Sequence, residues 1–437
     1  MIPARRTYGL LLLGMAIAPL IFLIWDGQTR IAASLLSLLI WDGLVLGVAI
    51  VDSRRVEKVR VERSTLSRLS IGRDNVVSLA IESGMQAADL QISDGYPLEF
   101  GVSMMPLAAQ LSSQSRQDVM YTVHPTRRGE YHWKGIQVRQ LSPWRLAWHT
   151  WKVPQTQTVA VYPDLIGLRS LSIRLTLQSS GSIKRARRLG IGTEFAELRE
   201  YGVGDDLRFI DWKATARRGQ PLVRVLEPEQ EQTLIILLDR GRLMTAQIKG
   251  LSRFDWGLNA TLSLALAGLS RGDRVGVGVF DRQIHTWIPP ERGQTHLPRL
   301  IERLTPIQPA ILEPDYLGAV TTLVNQQSRR ALVVLITDIV DTTASAELLA
   351  AMGRLTPRYL PFCVTLRDPQ VDAQAHKITE DLPSSYARAV ALDLLAQRQI
   401  AFAELKQKGV LVLDAPANQI TEQLIDRYLQ LKAKNQL

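Results

Sequence analysis

Two long uncharged runs at the N-terminus constrain this chain more than any other feature. Tyr8–Trp25 ("YGLLLLGMAIAPLIFLIW") has no charged residue, and Ile31–Val51 ("IAASLLSLLIWDGLVLGVAIV") carries only Asp42. Each has about the ~20 residues a helix needs to cross a bilayer core. The "DGQTR" between them is long enough only for a tight turn, so a transmembrane helical hairpin is expected. A cleaved signal peptide would account for the first run alone, and no A-x-A site precedes the turn. Arg5 and Arg6 precede the hairpin and Arg54, Arg55, Lys58 and Arg60 follow it, against Arg30 alone in the turn. By the positive-inside rule this predicts a two-pass protein of the cell membrane, with both termini and everything after Val51 in the cytoplasm. Trp25 is expected as an interfacial anchor. Trp41 sits mid-run and serves either as an anchor or as a contact to the partner helix. Asp42, costly in lipid, is expected to face the other helix or a partner protein.

The 437 residues suffice for two or three domains, and 46% hydrophobic with 22% charged residues excludes disorder for most of the chain. The net charge of +10 favours an acidic partner surface such as anionic lipid, nucleic acid or an acidic protein. No aromatic stacking set or reading helix accompanies the charge, so no nucleic-acid partner is expected. Cys363 is the only cysteine, which excludes an intrachain disulfide and a cysteine-based zinc site. It lies in an apolar strand pattern and reads as a core residue.

From Val56 to Leu165 the pattern is β. "VEKVRVER", "VVSLAIES", "DLQISD", "DVMYTVHPTRRGEYHWKGIQVRQL" and "TQTVAVYPDL" are alternating segments separated by turn residues, with Gly129 at a hairpin corner. Such spacing predicts a β-sandwich-like domain, most simply a spacer or docking module. His124, His132 and His149 have no acidic or cysteine partner at metal-ligand spacing.

The last half changes period. Continuous apolar strands ("TLIILLD", "RVGVGVF", "RALVVLITDIVD", "YLPFCVTL", "VLVLDA") alternate with helical stretches. This predicts a doubly wound α/β domain with a parallel sheet covered on both faces. The division expected is 1–51 hairpin, 52–165 β-sandwich-like domain, 166–232 linker and signature segment, and 233–437 α/β domain. Ligands of such sheets lie beyond the carboxyl ends of the strands, where Asp239 and Asp338 each follow an apolar run.

The order strand-D-x-G-x-x-M, helix, strand, helices, strand-T-D resembles a von Willebrand factor A domain of Rossmann-type architecture. The motifs "LREY", "GDD", "IDWKATAR", "LVR" and "LLDRGRLM", with "RRGEY" and "VYPDL" upstream, resemble the bacterial family called domain of unknown function 58. That resemblance spans nearly the whole chain. It implies a membrane-anchored, non-enzymatic adaptor that presents an A-type domain to a MoxR-type AAA+ ATPase or its clients. The A-type metal site normally reads D-x-S-x-S with a Thr from a second loop and an Asp after a later strand. Here the first element is Asp239-Arg240-Gly241-Arg242-Leu243, the second loop offers Pro314 and Asp315, and the late acid is Asp338. Two carboxylates remain of a site that needs near-octahedral oxygen ligation, so a degenerate site is expected, with magnesium as the only cofactor it admits. The alternative is an ion pair in the metal's place, between Arg240 or Arg242 and Asp239 or Asp338.

"EFAELREYGVGDDLRFIDWKATARRG" (Glu194–Gly219) concentrates acids, bases and aromatics directly upstream. "FAELREY" is expected as a short helix or tight turn and Trp212 as a buried anchor. Two readings stand for the segment: a structural ion-pair clasp, and a partner-binding surface made by Arg199, Tyr201, Gly204, Asp205, Arg208, Asp211, Trp212, Lys213 and Arg217. No Ser-His, Cys-His or lysine constellation and no Walker loop occurs there, so no catalytic residue is assigned. A metal-dependent hydrolase or binding module using Asp239, Asp338 and Asp205 is the alternative function. "KRARR" (Lys184–Arg188) reads as a solvated charge run, or as a contact to anionic lipid or an acidic ATPase loop. Oligomeric state and client are not legible.

Overall fold

The computed structural model describes residues 2–24, 30–176, 194–202, 204–227, 232–340, 342–343, 345–378 and 381–434. Trp25, most of the expected turn and the basic run Lys184–Arg188 lie outside these residues. The chain divides into two compact units, Met1–Tyr162 and Pro163–Leu437.

The first unit opens with the helices Arg5–Ile24 and Arg30–Arg54. Within them Ile31–Arg54 is long and apolar enough to cross a membrane. Trp41 faces the first helix: its Nε1 donates to the Leu10 carbonyl at 2.9 Å. Gly14 makes room for the indole, since a Cβ there would lie 2.2 Å from Trp41 Cδ1. The outer ends of both helices are tied to one loop. Ile2 and Pro3 pair with Trp148 and Ala147, and the Ala4 amide donates to the Leu146 carbonyl at 2.8 Å. At the other end, Asp52 accepts from the Trp144 amide at 3.2 Å, and the Arg55 guanidinium lies 5.1 Å from the Trp144 ring centroid.

The rest of this unit is two largely antiparallel sheets. One has four strands (Arg60–Arg63, Asn75–Glu82, Arg116–His124, Gly101–Val102), the other seven, arranged around the long strand Gly129–Leu141. Alternation buries Val77, Leu79 and Ile81 on one face of their strand, as a period of two requires. A buried polar cluster joins the sheets. Arg63 pairs with Asp94, and Asp94 Oδ2 also accepts from Tyr121 Oη at 2.6 Å and Trp133 Nε1 at 3.3 Å. Arg63 and Tyr121 belong to the four-stranded sheet, Asp94 and Trp133 to the other, so the two buried faces meet there. The strands Leu107–Leu111 and Ala147–Val153 add to the expected set. "LAAQL" has little β-branched content, and "AWHTWKV" lacks clean alternation, so neither announces itself.

The second unit is built on a six-stranded sheet in the order Ile284–Glu291, Arg274–Phe280, Thr233–Asp239, Leu332–Thr337, Leu360–Arg367, Leu411–Pro416. Five strands are parallel. The exception is Ile284–Glu291, antiparallel at one edge, where Pro289 and Pro290 are tolerated because an edge strand has unpaired positions. Those prolines are also why the sequence did not announce a strand. Along Thr233–Asp239, Leu234, Ile236 and Leu238 join one buried cluster and Ile235 and Leu237 another. The helices Arg253–Ser270 and Ile420–Ala433 cover the first face; Tyr316–Gln326, Ala346–Gly353 and the second half of Leu382–Gln407 cover the other. A helix over 165–176 adds Leu168, Leu171 and Leu175 to the first cluster, so the expected linker begins as part of this core.

The expected helix in "FAELREY" is instead the strand Glu194–Glu200, antiparallel to Leu222–Glu227. The spacing of three between apolar positions comes from a register shift between Phe195 and Glu197, which moves the alternation by one residue.

Candidate functional site

Two places collect the residues singled out in the sequence. The first is the carboxyl edge of the six-stranded sheet. Register sets Leu238 beside Ile336, which brings Asp239 level with Thr337 on the adjacent strand. Asp239 is fully buried. Its Oδ1 accepts from the Gly241 amide at 2.7 Å, and its Oδ2 accepts from Thr337 Oγ1 at 2.7 Å and Tyr316 Oη at 3.1 Å. Burial raises its carboxyl to about 6, against the lowering effect of those three donors. Burial likewise pushes the Tyr316 phenol well above its ordinary value.

Asp338, one residue on, is held by two arginines. Arg253 Nη1 lies 2.7 Å from Oδ2 and Arg398 Nη1 lies 2.7 Å from Oδ1, which also accepts from the Ile339 amide at 2.9 Å. Arg398 reaches on to Asp414 with Nη2 at 2.8 Å, and Asp414 also meets Arg367 Nη1 at 3.2 Å and Thr365 Oγ1 at 2.9 Å. A chain of alternating charges thus runs across the ends of three strands. Burial opposes the charge on Arg398, but the Asp338 and Asp414 carboxylates hold its pKa above the ordinary arginine value.

An ion pair does hold Asp338, but Arg240 and Arg242 do not supply it. Arg240 pairs with Asp281 at 3.2 Å, and Arg242 pairs at the surface with Glu313 at 2.7 Å. The reason is the loop path. The Arg240 amide bonds to the Phe280 carbonyl and its carbonyl to the Ala310 amide, so the side chain is carried towards Asp281 and away from Asp338.

The donor set does not fit a resident magnesium ion. Every oxygen of Asp239 and Asp338 is already engaged by protein donors, and two guanidinium groups face Asp338. At the expected position of a serine ligand, a Cβ on Gly241 would lie 2.8 Å from the Leu312 carbonyl oxygen, so a hydroxyl side chain cannot enter without movement. Asp315, in the second loop, caps the helix Tyr316–Gln326 through the Gly318 amide at 2.6 Å. Among the described residues no group of three or more His, Cys, Asp or Glu side chains is placed to hold a metal.

The second place is the signature segment. Its two strands lead into a short loop and the helix Trp212–Arg218. Gly204 takes φ +105°, which only glycine adopts freely, and Gly219 ends the helix at φ +70°. The Tyr201 amide bonds to the Pro221 carbonyl at 2.9 Å and the Asp211 amide to the Leu222 carbonyl at 2.9 Å, closing the loop on the hairpin. Asp205 pairs with Arg199 and accepts from the Gly202 amide at 2.8 Å; the Arg199 bond, then the amide, hold its carboxyl below the usual range. Asp206 pairs with Arg208 at 2.6 Å. Asp211 caps the helix through Lys213 and Ala214, with Arg224 3.6 Å away.

Trp212 is not a buried anchor: it is 70% exposed, and Leu207, earlier in the segment, is 64% exposed. Ile210, Leu222 and Val223 are the residues buried here. The helix starts at Trp212, and its Asp211 cap turns the indole outward with Lys213, while Arg217 and Arg218 occupy the last turn. The acids pair with Arg199, Arg208 and Arg224, so no ion pair engages Lys213, Arg217 or Arg218 among the described residues. Sequence spacing did not single out Thr337, Tyr316, Arg253, Arg398 or Asp414. Only the "T-D" ending of the fourth strand in the sheet hinted at any of them.

Residues 197–374 match the model of the family described as protein of unknown function DUF58. An uncharacterized protein of Mycobacterium tuberculosis is 23% identical over 209 residues, which is 47% of this chain and 65% of that protein. The uncharacterized protein YeaD of Bacillus subtilis is 24% identical over 185 residues, 42% of this chain and 44% of YeaD. The chain thus matches less than two-thirds of the length of these relatives. Among solved structures, the conserved hypothetical protein BatB from Bacteroides thetaiotaomicron is similar at 15% identity, covering 46% of this chain and 99% of BatB with a TM-score of 0.33. An aerotolerance-related membrane protein from Bacteroides fragilis is similar at 14% identity, covering 45% of this chain and 99% of that chain with a TM-score of 0.29.

Proposed function

We propose that this protein is a membrane-anchored, non-enzymatic adaptor whose signature segment docks an acidic surface on a MoxR-type AAA+ ATPase or a client of one. In this reading the first two helices cross the bilayer as a hairpin, with the remaining domains on the cytoplasmic side. The β-sandwich is the spacer, and the α/β unit is a von Willebrand factor A-like platform. The attachment of both outer helix ends to the loop around Trp144 supports the hairpin, because it keeps those ends on one side of the membrane. The basic flanks support a cytoplasmic placement.

The observation that carries the docking reading is the exposed Trp212 with Lys213, Arg217 and Arg218 on the same short helix, and a second exposed apolar side chain, Leu207, earlier in the segment. Tryptophan and arginine dominate interface hot spots, and three cations that no ion pair engages among the described residues select an acidic counterpart. The ion pairs of Arg199, Arg208 and Arg224 hold the loop so that this helix is presented in one orientation. The clasp and the surface are then two roles of one segment. The carboxyl edge of the sheet serves stability in this reading, since its carboxylates are spent on internal partners.

The test is capture of the ATPase by the full chain from detergent-solubilised membranes, with and without ATP. Trp212→Ala and the pair Lys213→Glu/Arg217→Glu should each weaken capture by about 30-fold or more, the equivalent of ~2 kcal/mol at a hot spot. Capture at parental strength by both folded variants would remove this surface from the function.

A further inference from the structure

The second helix fixes the depth of a loop in the first unit. Its run Ile31–Val51 carries no charge but Asp42 and spans about 31 Å at ~1.5 Å per residue, which matches a hydrocarbon core of ~30 Å. Its two ends therefore fall at the two edges of that core, and Asp52, the next residue, falls at the boundary with the headgroups. Asp52 accepts from the Trp144 amide at 3.2 Å, so the loop Ser142–Leu146 is held at the same level. The first helix holds it too. The Ala4 amide and the Thr7 hydroxyl both donate to the Leu146 carbonyl, and Ala49 packs with Leu146 and Ala147 in a small core. Thr7 and Asp52 are fully buried, so the loop cannot lift away without breaking bonds that water does not reach.

What this end of the unit presents is aromatic and cationic. Trp144 is 51% exposed, and Tyr8, near the start of the first helix, 53%. Indole and phenol rings settle where an apolar body meets a wet edge, which in a bilayer is the headgroup level. Arg5, Arg6, Arg54 and Arg55 at the two outer helix ends are all exposed, and the Arg55 guanidinium lies over the Trp144 ring. No ion pair engages these four arginines among the described residues. The acids near them are used internally: Asp52 is buried on the Trp144 amide, Glu57 accepts from the Gln86 amide at 3.3 Å, and Asp89 is paired with Arg145 at 2.9 Å.

We infer, resting on the hairpin reading proposed above, that the loop Ser142–Leu146 and the arginines at the outer helix ends form a binding site for the headgroups of anionic phospholipids. Guanidinium groups present paired donors to phosphate oxygens, and their long stems can lie along apolar surface while the charge stays in the headgroup layer. Trp144 supplies the apolar wall beside Arg55. An acidic protein would have to reach the same groups through the lipid headgroups that surround them. The arrangement also accounts for bonds that a tethered spacer does not need. The chain already joins the second helix to the strand Arg60–Arg63, yet both helix ends are bonded to the loop as well. These ties set the loop end of the β domain on the membrane surface, and lipid binding there completes the attachment.

The test uses the full chain in nanodiscs of phosphatidylcholine and phosphatidylglycerol. Trp144→Cys, Leu39→Cys and Leu98→Cys are each labelled with a nitroxide, Cys363 being buried and the only native cysteine. Leu39 is exposed near the middle of the apolar run. Leu98 is 93% exposed and follows the strand Ala88–Gly95 at the end away from the Ser142 loop. Collision with oxygen against collision with a water-soluble nickel chelate reads the depth of each label. The expected order is Leu39 in the hydrocarbon, Trp144 at the phosphates and Leu98 in water. In the unlabelled parent, spin-labelled phosphatidylglycerol should be retained at the protein surface roughly fivefold over spin-labelled phosphatidylcholine, about what one base supplies within a Debye length of the surface. Arg5→Gln/Arg6→Gln/Arg54→Gln/Arg55→Gln should lower that preference below about twofold while a Leu39 label stays in the hydrocarbon. A Leu39 label in water overturns the membrane-anchor reading and this site with it. A Leu39 label in the hydrocarbon with a Trp144 label as open to nickel as Leu98 overturns the placement of the loop alone. A Trp144 label at phosphate depth with no preference for phosphatidylglycerol, or with a preference that survives the four substitutions, overturns the lipid site and leaves the arginines to an acidic protein.

Discussion

Replacing Arg398 with methionine tests whether the charge chain at the sheet edge holds the second unit together. The guanidinium is buried and bridges Asp338 at 2.7 Å and Asp414 at 2.8 Å. Methionine has similar reach and no charge, so Asp338 keeps Arg253 and Asp414 keeps Arg367, each with one partner fewer. Removing one member of a buried ion pair costs about 3–5 kcal/mol, mostly because the remaining carboxylates stay buried with less compensation. A global melting curve is a poor readout for a chain of two units. Cys363 is a better one: it is the sole cysteine, fully buried in the strand Leu360–Arg367, and burial pushes its thiol up to about 12. Its labelling therefore requires the sheet to open. With labelling slow relative to reclosing, the rate follows the open population, and 3–5 kcal/mol corresponds to an acceleration of about two to nearly four orders of magnitude. Asp338→Asn should accelerate labelling less, by about 1–3 kcal/mol, because Arg398 keeps Asp414 and the amide still accepts a hydrogen bond. An acceleration below about fivefold for Arg398→Met would refute the view that this arginine compensates the buried carboxylates.

The same probe serves three further expectations. Millimolar magnesium should leave Cys363 protection unchanged, whereas a hundredfold excess over Kd at a real site would add about 2.7 kcal/mol; a magnesium-dependent gain abolished by Asp239→Ala would refute the fit argument. Because the Asp239 carboxyl is raised from 3.8 to about 6, the folded sheet binds this proton more tightly than the unfolded chain, so its stabilisation is fully present below pH ~4 and is lost as pH rises through about 6; Asp239→Asn should flatten that fall relative to the parent. Arg208→Ala removes only a solvent-screened, exposed pair with Asp206 and should leave Cys363 protection at the parental level.

What was legible in the sequence, and what was not, follows from the range over which each interaction acts. The apolar strands of the second unit declare themselves because every residue of a doubly covered strand is buried, as in Leu332–Thr337. Asp239 and Asp338 were placed at the sheet edge for the same reason: each ends such a run. Their partners were not legible. Arg398 meets Asp338 across 60 positions and Tyr316 meets Asp239 across 77, and neither separation leaves a local pattern. Trp212 was misplaced by a rule of composition: an indole among charges usually reads as an anchor, yet the Asp211 cap sets the helix start so that this one points out. The helix Leu382–Gln407 was legible as a helix, but exposed apolar residues such as Leu382, Tyr386 and Ile400 leave it no single apolar stripe, so its period could not reveal which face serves the core. The burial of Ala391, Arg398, Ala401, Phe402 and Leu405 does, and it is that face which sends Arg398 into the charge chain.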